Sequence, residues 1–339
     1  SFDLPKDVSI GKGINDVALA DPDDPSVVYA TFKVTPSGKD TPAKVTIAFT
    51  DAINGPGDVE GTLGFSGGFN AETIGEPGKI TLEVPYEKNI PPTSITITPA
   101  TDSDVAKAGS FDQPTNPTAV IWSVDVNKSL KQMTNGSVSE EFPQGLIFAG
   151  VDVYQVPVDF YGNVVGDIGG AGWIKLDASG YTASSDGSTV ALNAPYDSTD
   201  KAYRFVYRTT IDEDVKPQTG GGVSFTNTAV LHSDEAGTAG LPAQASVSAH
   251  FGKTLDKSGA TYDPSTRTIT WRVQYNYGGH AIPAGSAWVE DICDCPDLEY
   301  IDGSVTVQKM KFDSQGKAVV DSDIAEGTEA GRFTFSNNP

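Results

Sequence analysis

A lysine, a carboxylic acid and an asparagine in the middle of the chain are the residue types that can form a covalent cross-link between side chains. Trp122 follows Lys107 by 15 residues, Glu140 follows Trp122 by 18, and Asn227 lies in the segment Phe-Thr-Asn-Thr-Ala. Burial beside an aromatic ring would lower the pKa of the lysine and raise that of the acid. A neutral Lys107 amine could then attack the Asn227 carboxamide and expel ammonia, with protonated Glu140 assisting. Such an event happens once per molecule, so it is not enzymatic turnover.

The same order of residues recurs downstream. Lys257 precedes Trp271 by 14 residues, and Asp291 follows Trp271 by 20. Recurrence at near-constant spacing predicts a repeated structural unit with a tryptophan in its core. Lys253 is an alternative to Lys257 as the lysine of this copy, because both would lie on the same side of a strand. The Lys-x-Gly context favours Lys257. The tryptophan-to-asparagine interval of the first copy would place the second acceptor beyond residue 339, so we expect the partner of Lys257 outside this sequence.

Two adjacent glutamates compete for the role of the assisting acid. Val138 and Glu140 share one side of a strand because side chains alternate with a period of two. This parity favours Glu140, with Glu141 as the alternative. Taken singly, each residue is better explained as a surface lysine, a turn acid or a turn asparagine. The ordered set favours the cross-link.

The chain has the pattern of an all-β protein. Helical periodicity is almost absent, and the 36 glycines and 22 prolines favour short strands joined by turns. Apolar residues alternate with polar ones in several runs, among them 45–49, 80–84, 95–97, 203–207 and 305–307. Gly- and Pro-containing turns bound these runs, which predicts tandem Ig-like β-sandwich domains.

The repeat register predicts a divergent first domain, a complete second domain and a third that lacks its closing strands, at 1–103, 104–249 and 250–339. In the first domain Phe32 precedes Asp51 by 19 residues, close to the tryptophan-to-acid interval of the later units. Its candidate lysine, Lys12, lies 20 residues before Phe32, and its last strand has no asparagine. We therefore expect no cross-link there.

Charge and composition exclude several classes of function. The net charge is −22 and the pI is near 4.3, so the surface repels nucleic acid and anionic membranes. No apolar run approaches the length of a membrane span. We expect a monomer that needs no cofactor.

The sequence offers little for metal binding or disulfide formation. Three histidines are scattered without paired metal-ligand spacing, at positions 232, 250 and 280. An acidic turn at 21–25 could bind calcium weakly, but a solvated turn explains it better. Cys293 and Cys295 are too close to form an unstrained disulfide, so free thiols are favoured. We expect no metal site.

The Lys-x-Gly segment, the alternating strand with tryptophan, Val-x-Asp/Glu and Phe-Thr-Asn-Thr-Ala together resemble the collagen-adhesin type of Ig-like domain of Gram-positive cell-wall adhesins. The resemblance covers 104–339 well and 1–103 weakly. It implies a variant Ig sandwich in which Lys107 and Asn227 form an isopeptide bond assisted by Glu140. Lys257 and Asp291 match the pattern in the third unit. Aspartate is usual at the assisting position, and Glu140 departs from this.

The resemblance also implies an extracellular protein held on the cell wall, with its anchor outside this sequence. We expect an adhesin whose first two domains clasp an extended ligand, with the 101–106 joint as hinge. The ligand would be a matrix protein such as collagen, or a glycan. The alternative is a stalk or pilus-like shaft without a ligand of its own. The divergent first domain favours the adhesin, and the repeated third unit favours the stalk.

Overall fold

A computed structural model describes residues 1–38, 41–54, 66–70, 74–82, 93–292, 295–327 and 334. The chain forms two compact units. The first consists of 1–102 together with 128–131 and 157–167, and the second contains the rest of the chain from 103 onwards. The three domains expected from the repeat, with their boundaries, stay a prediction.

The first unit is built from short antiparallel strands. Its strands are β1 Phe2–Asp3, β2 Val8–Ser9, β3 Ile14–Ala20, β4 Val28–Thr35, β5 Lys44–Phe49, β6 Gly68–Phe69, β7 Gly78–Leu82 and β8 Thr93–Ile97. One sheet has the order β1-β5-β4-β3, and β2 pairs with β6 and β7 with β8. The predicted run 45–49 forms β5, and the run 95–97 lies in β8.

A small apolar core holds the first unit together. Phe32, Val34 and Val45 are buried where β4 and β5 alternate inward side chains. Asp51 does not continue β5 but begins a short 3-10 helix, Asp51–Asn54, and is exposed, as is Lys12. The acid and the lysine that were compared with the later units therefore lie outside this core.

The second unit begins with a complete sandwich. Its strands are β9 Val105–Phe111, β10 Ala119–Val126, β11 Met133–Thr134, β12 Ser137–Glu141, β13 Leu146–Val156, β14 Ile174–Lys175, β15 Tyr181–Ala183, β16 Thr189–Leu192, β17 Ser198–Thr199, β18 Ala202–Ile211, β19 Gly221–His232 and β20 Leu241–Phe251. A short 3-10 helix, Glu213–Val215, connects β18 and β19. One five-stranded sheet has the order β14-β13-β18-β10-β9, and the other has the order β15-β16-β12-β19-β20. The expected all-β, Ig-like architecture is confirmed.

Alternation of side chains builds the core between these two sheets. In β10 the buried and less buried positions alternate along the strand, and β18 does the same. The bulkiest side chains of this core are almost fully buried: Trp122, Tyr203, Phe205, Tyr207 and Phe251. Aromatic residues at this density supply much of the apolar area that the sandwich buries.

Gly109 allows the two sheets to approach closely beside the tryptophan. It pairs with Trp122 across β9 and β10. A Cβ atom at this position would lie 2.7 Å from the Trp122 ring and 2.7 Å from a methyl group of Val247 on β20. The glycine of the Lys-x-Gly segment therefore leaves room for the indole ring next to the lysine.

We expect Gly109→Ala to lower the free energy of unfolding by about 1–3 kcal/mol, because the added methyl group overpacks a filled core. Urea unfolding of the full chain measures the change. Gly222→Ala is the matched control, since a Cβ atom there would meet its nearest neighbour at 3.6 Å and the position has no positive φ. Equal urea midpoints for Gly109→Ala and Gly222→Ala would contradict the close approach of Gly109 to Trp122 and Val247.

The rest of the second unit consists of two hairpins. Their strands are β21 Leu255–Asp263, β22 Thr268–Tyr275, β23 Val307–Phe312 and β24 Ala318–Ile324. β21 pairs with β22 and β23 with β24. The predicted strand at 305–307 was wrong in its position, since β23 only begins at Val307. The described residues contain no helix long and apolar enough to cross a membrane.

One asparagine connects the sandwich to the chain that follows it. Asn116 has a positive φ of 51° and is buried. Its Nδ2 donates to the Tyr277 carbonyl at 2.6 Å, and its Oδ1 accepts from the Gly252 amide at 2.9 Å. Its own amide donates to the His250 carbonyl at 2.8 Å. These three bonds tie the start of β10 to the segments on either side of β21 and β22.

Candidate cross-link site

The lysine, the acid and the asparagine come from three strands of the sandwich. Lys107 lies on β9, at one edge of the first sheet, while Glu140 and Asn227 lie on β12 and β19 of the second. Glu140 pairs with Ala229, and Asn227 lies two residues before Ala229. The acid and the asparagine are therefore diagonal neighbours on the same inward face of the second sheet.

The lysine and the acid form a fully buried ion pair. Lys107 Nζ donates to Glu140 Oε1 at 2.6 Å, and both side chains are 0% exposed. The Lys107 Nζ atom also lies 5.3 Å from the centroid of the Trp122 ring. Removal of this amine and this carboxyl group from water penalises their charged forms, and only close pairing offsets the penalty.

Burial moves both pKa values toward the neutral pair. It lowers the pKa of Lys107, although Glu140 acts in the opposite direction. It raises the pKa of Glu140, although Lys107 and, less strongly, Asn227 act against it. Transfer of one proton across the 2.6 Å contact would give a neutral amine beside a protonated carboxyl group.

The asparagine side chain is buried without ordinary hydrogen bonds. Asn227 is 0% exposed. Its carboxamide is close enough to affect the pKa of Glu140, but in the described part of the chain neither its oxygen nor its nitrogen makes a hydrogen bond of normal geometry. A buried, unpaired amide costs about 1–3 kcal/mol. Such a cost is unusual for a residue with a purely structural role.

The two adjacent glutamates face opposite sides of β12. Glu140 is buried and points into the sandwich, whereas Glu141 is exposed. This is the arrangement that strand parity predicted. The geometry thus brings Lys107 to Glu140 and leaves Glu141 outside the core.

The hairpin of β21 and β22, with the segment that follows it, repeats the contact in an open setting. Lys257 Nζ donates to Asp291 Oδ1 at 2.6 Å and lies 5.3 Å from the Trp271 ring centroid, the same distances as in the sandwich. The Lys257 and Asp291 side chains are 43% and 47% exposed, and Trp271 is 42% exposed. Lys253 pairs instead with Asp256. No strand among the described residues covers this pair as β19 covers the buried one.

Outside the core, one face of the first sheet carries aromatic and charged side chains that sequence reasoning missed. Arg204 donates to both carboxylate oxygens of Asp125 at 2.5 and 2.8 Å and stacks over Trp173 at 5.4 Å. Trp173 meets Tyr154 edge-on at 5.8 Å. Lys175 lies over the Tyr154 ring at 5.9 Å. Tyr154, Arg204 and Asp125 form one row across β13, β18 and β10.

The other residues considered from the sequence form no comparable site in the ranges that the structure describes. In the described part of the chain, no three histidine, cysteine or acidic side chains group closely enough to hold a metal ion. Cys295 is a free, exposed thiol, and Cys293 lies outside the described residues.

Residues 102–240 match the family model of the collagen-binding domain, and residues 1–79 match that of a bacterial Ig domain. The two matched segments do not overlap and follow one another along the chain. The segment that matches the collagen-binding domain model contains Lys107, Glu140 and Asn227, together with the row of Tyr154, Arg204 and Asp125. No curated protein matches the chain.

Several solved structures resemble the chain at low sequence identity. The collagen-binding domain from a Staphylococcus aureus adhesin is 12% identical with a TM-score of 0.29, over 44% of this chain and 98% of that one. The collagen-binding subdomain of the Enterococcus faecalis surface protein ACE is 14% identical with a TM-score of 0.28, over 44% and 95%. The collagen-binding domain of the Erysipelothrix rhusiopathiae surface protein RspB is 12% identical with a TM-score of 0.29, over 74% and 82%.

Proposed function

We propose that this chain is the ligand-binding region of a bacterial cell-surface adhesin and that a Lys107–Asn227 isopeptide bond stabilises it. The match of 102–240 to the collagen-binding domain supports the adhesin. The buried Lys107–Glu140 pair beside an unpaired Asn227 carboxamide supports the bond. The ligand is an extracellular protein of the collagen type, or a glycan.

The proposed reaction begins from the neutral Lys107 amine beside the protonated Glu140 carboxyl group. The Lys107 amine attacks Cγ of Asn227 while the Glu140 proton is donated to Oδ1, which stabilises the charge that develops there. The bond from Cγ to Nδ2 then breaks, Nδ2 leaves as ammonia with the proton released from the lysine, and Glu140 recovers its own proton. One amide replaces another, so no oxidant or cofactor is needed. Confinement of the reacting groups in a packed core supplies most of the rate.

The outward face of the first sheet is the ligand surface in this proposal. Its Trp173 ring is held between the Arg204 guanidinium and the Tyr154 ring, and Asp125 fixes the guanidinium by two bonds. A surface of this kind loses little side-chain entropy when it binds. Tryptophan, tyrosine and arginine are also the residues that most often dominate binding energy at interfaces.

We expect Trp173→Ala to weaken binding of the full chain to triple-helical collagen by roughly tenfold or more, because it removes the ring that contacts both Arg204 and Tyr154 on this face. Surface plasmon resonance on immobilised collagen measures the change. Trp288→Ala is the matched control, since Trp288 is exposed and lies after β22, outside the sandwich. Saturable wild-type binding with unchanged affinity in Trp173→Ala would contradict the choice of surface. A glycan array tests the other ligand class.

A structural stalk is the second candidate, and the repeat of the lysine–acid contact at Lys257 and Asp291 favours it. The lysine–acid and lysine–tryptophan distances recur there at 2.6 and 5.3 Å. Cross-linked repeats in series suit a shaft that resists pulling and proteases. Absence of saturable binding to collagens, other matrix proteins and glycans would favour the stalk over the adhesin.

A further inference from the structure

A short turn that follows β22, residues 276–281, is held on the end of the sandwich by side chains from two separate connections. The first contact comes from the turn between β9 and β10. There the buried Asn116 donates from Nδ2 to the Tyr277 carbonyl at 2.6 Å, and its Oδ1 accepts from the Gly252 amide at 2.9 Å. One side chain of the sandwich thus bonds both the residue that follows β20 and the turn.

The connection between β18 and β19 supplies the second contact. Lys216 is buried, and its Nζ donates to Oε1 of Glu213 and, at 3.4 Å, to the Gly279 carbonyl. Oε2 of Glu213 accepts from the Ala281 amide at 3.2 Å. Burial of a lysine amine costs free energy unless an opposite charge and hydrogen bonds compensate for the lost water. Here the turn provides one of those bonds.

The turn is closed by hydrogen bonds of its own. Asn276 has a positive φ of 54°, its Oδ1 accepts from the His280 amide at 2.9 Å, and its Nδ2 donates to the His280 carbonyl at 3.0 Å. The Gly279 amide donates to the Asn276 carbonyl at 3.1 Å. A turn that is already ordered loses little conformational entropy when it packs against the sandwich.

Two glycines allow the turn to lie directly against the chain that leaves β20. A Cβ atom on Gly252 would overlap the Tyr277 carbonyl oxygen, and a Cβ atom on Gly278 would lie 2.8 Å from the Gly252 carbonyl oxygen. Both obstacles are backbone atoms, which cannot turn aside as a flexible side chain can. The two main chains are therefore in direct contact.

We propose that residues 276–281 form a clamp that locks the hairpin of β21 and β22 onto the sandwich, so that the cooperative folded unit continues past β20 to Ala281. A pull on the chain beyond the clamp then reaches the sandwich through Asn116 and Lys216 as well as through β20. Distribution of the load over several segments suits an adhesin and a stalk alike. The clamp depends neither on the ligand nor on the cross-link.

Hydrogen exchange of the full chain, followed by mass spectrometry in urea below the unfolding transition, tests the clamp. In the wild type we expect the amides of 276–281 to open together with those of β20, because one cooperative unit opens as a whole. Asn116→Gly removes two side-chain bonds and keeps the positive φ of 51° without steric cost. We expect the clamp of this variant to exchange roughly tenfold faster or more, and at lower urea than β20.

Asn135→Gly is the matched control. Asn135 has a positive φ of 56°, and its Nδ2 donates to Asp234 at 3.0 Å. This contact lies beyond the end of β19 opposite to the clamp, since the clamped end of β20 pairs with the start of β19. Exchange of 276–281 should be unchanged in this variant.

Lys216→Met is a second, independent variant, because it removes the amine and keeps an apolar stem. It should also accelerate exchange of 276–281. A wild-type chain in which these amides exchange well ahead of β20 would overturn the proposal. So would a wild-type exchange rate at 276–281 in either variant that folds.

Discussion

Glu140→Gln is expected to abolish the loss of ammonia on the time scale of purification. The amide cannot donate the proton that the attacked Asn227 carbonyl requires, and general acid assistance is worth roughly 10²–10⁴-fold in rate. The Lys107 amine would also lose the carboxylate to which it donates at 2.6 Å. Intact mass of the purified full chain measures the outcome.

Glu141→Gln is the matched control for this experiment. Glu141 adjoins Glu140 in sequence, but its side chain is exposed on the opposite side of β12. We expect this variant to lose ammonia as the wild type does. If the two variants exchanged behaviour, the assisting acid would be Glu141, and if both lost ammonia, neither glutamate would be required.

Asn227→Ala is expected to lower the free energy of unfolding by about 4–5 kcal/mol. The bond would close a loop from Lys107 to Asn227, and in the chain-entropy treatment a cross-link over roughly 100 residues stabilises by this amount. Guanidinium unfolding of the full chain measures the difference. Glu140→Gln should lose a similar amount, because it lacks the same bond.

Lys257→Ala provides the comparison for the stability experiment. Its ion pair with Asp291 is nearly half exposed, and exposed pairs contribute about 0–1 kcal/mol. We expect a change within this range. A loss in Asn227→Ala no larger than that in Lys257→Ala would mean that no covalent bond closes the loop.

The sequence predicted much of the sandwich because the pattern there is local. Alternation in 203–207 corresponds to buried and less buried positions of β18, and the parity of Val138 and Glu140 matches their shared inward face. Local alternation did not locate the strands after Asp291. Residues 295–306 have no regular strand, although 305–307 alternate in the same way. Alternation specifies a strand only where a partner strand is available to pair with it.

Residues brought together by pairing between distant segments could not be read from the sequence. Tyr207 lies beside Trp122 in the core because β18 pairs with β10, and no motif marks it. The row of Tyr154, Arg204 and Asp125 depends on the register of three strands that are far apart in sequence. Asn116 carries no signal beyond the tolerance of asparagine for positive φ.

The most direct test of the central claim is the intact mass of the full chain, compared between the wild type and Lys107→Ala. The proposed cross-link predicts that the wild type weighs one ammonia less than its sequence and that the variant has its full mass. Peptide mapping should then recover a branched peptide joining the segments around Lys107 and Asn227. A wild type of full sequence mass would contradict the cross-link and leave Lys107 and Glu140 as a buried ion pair only.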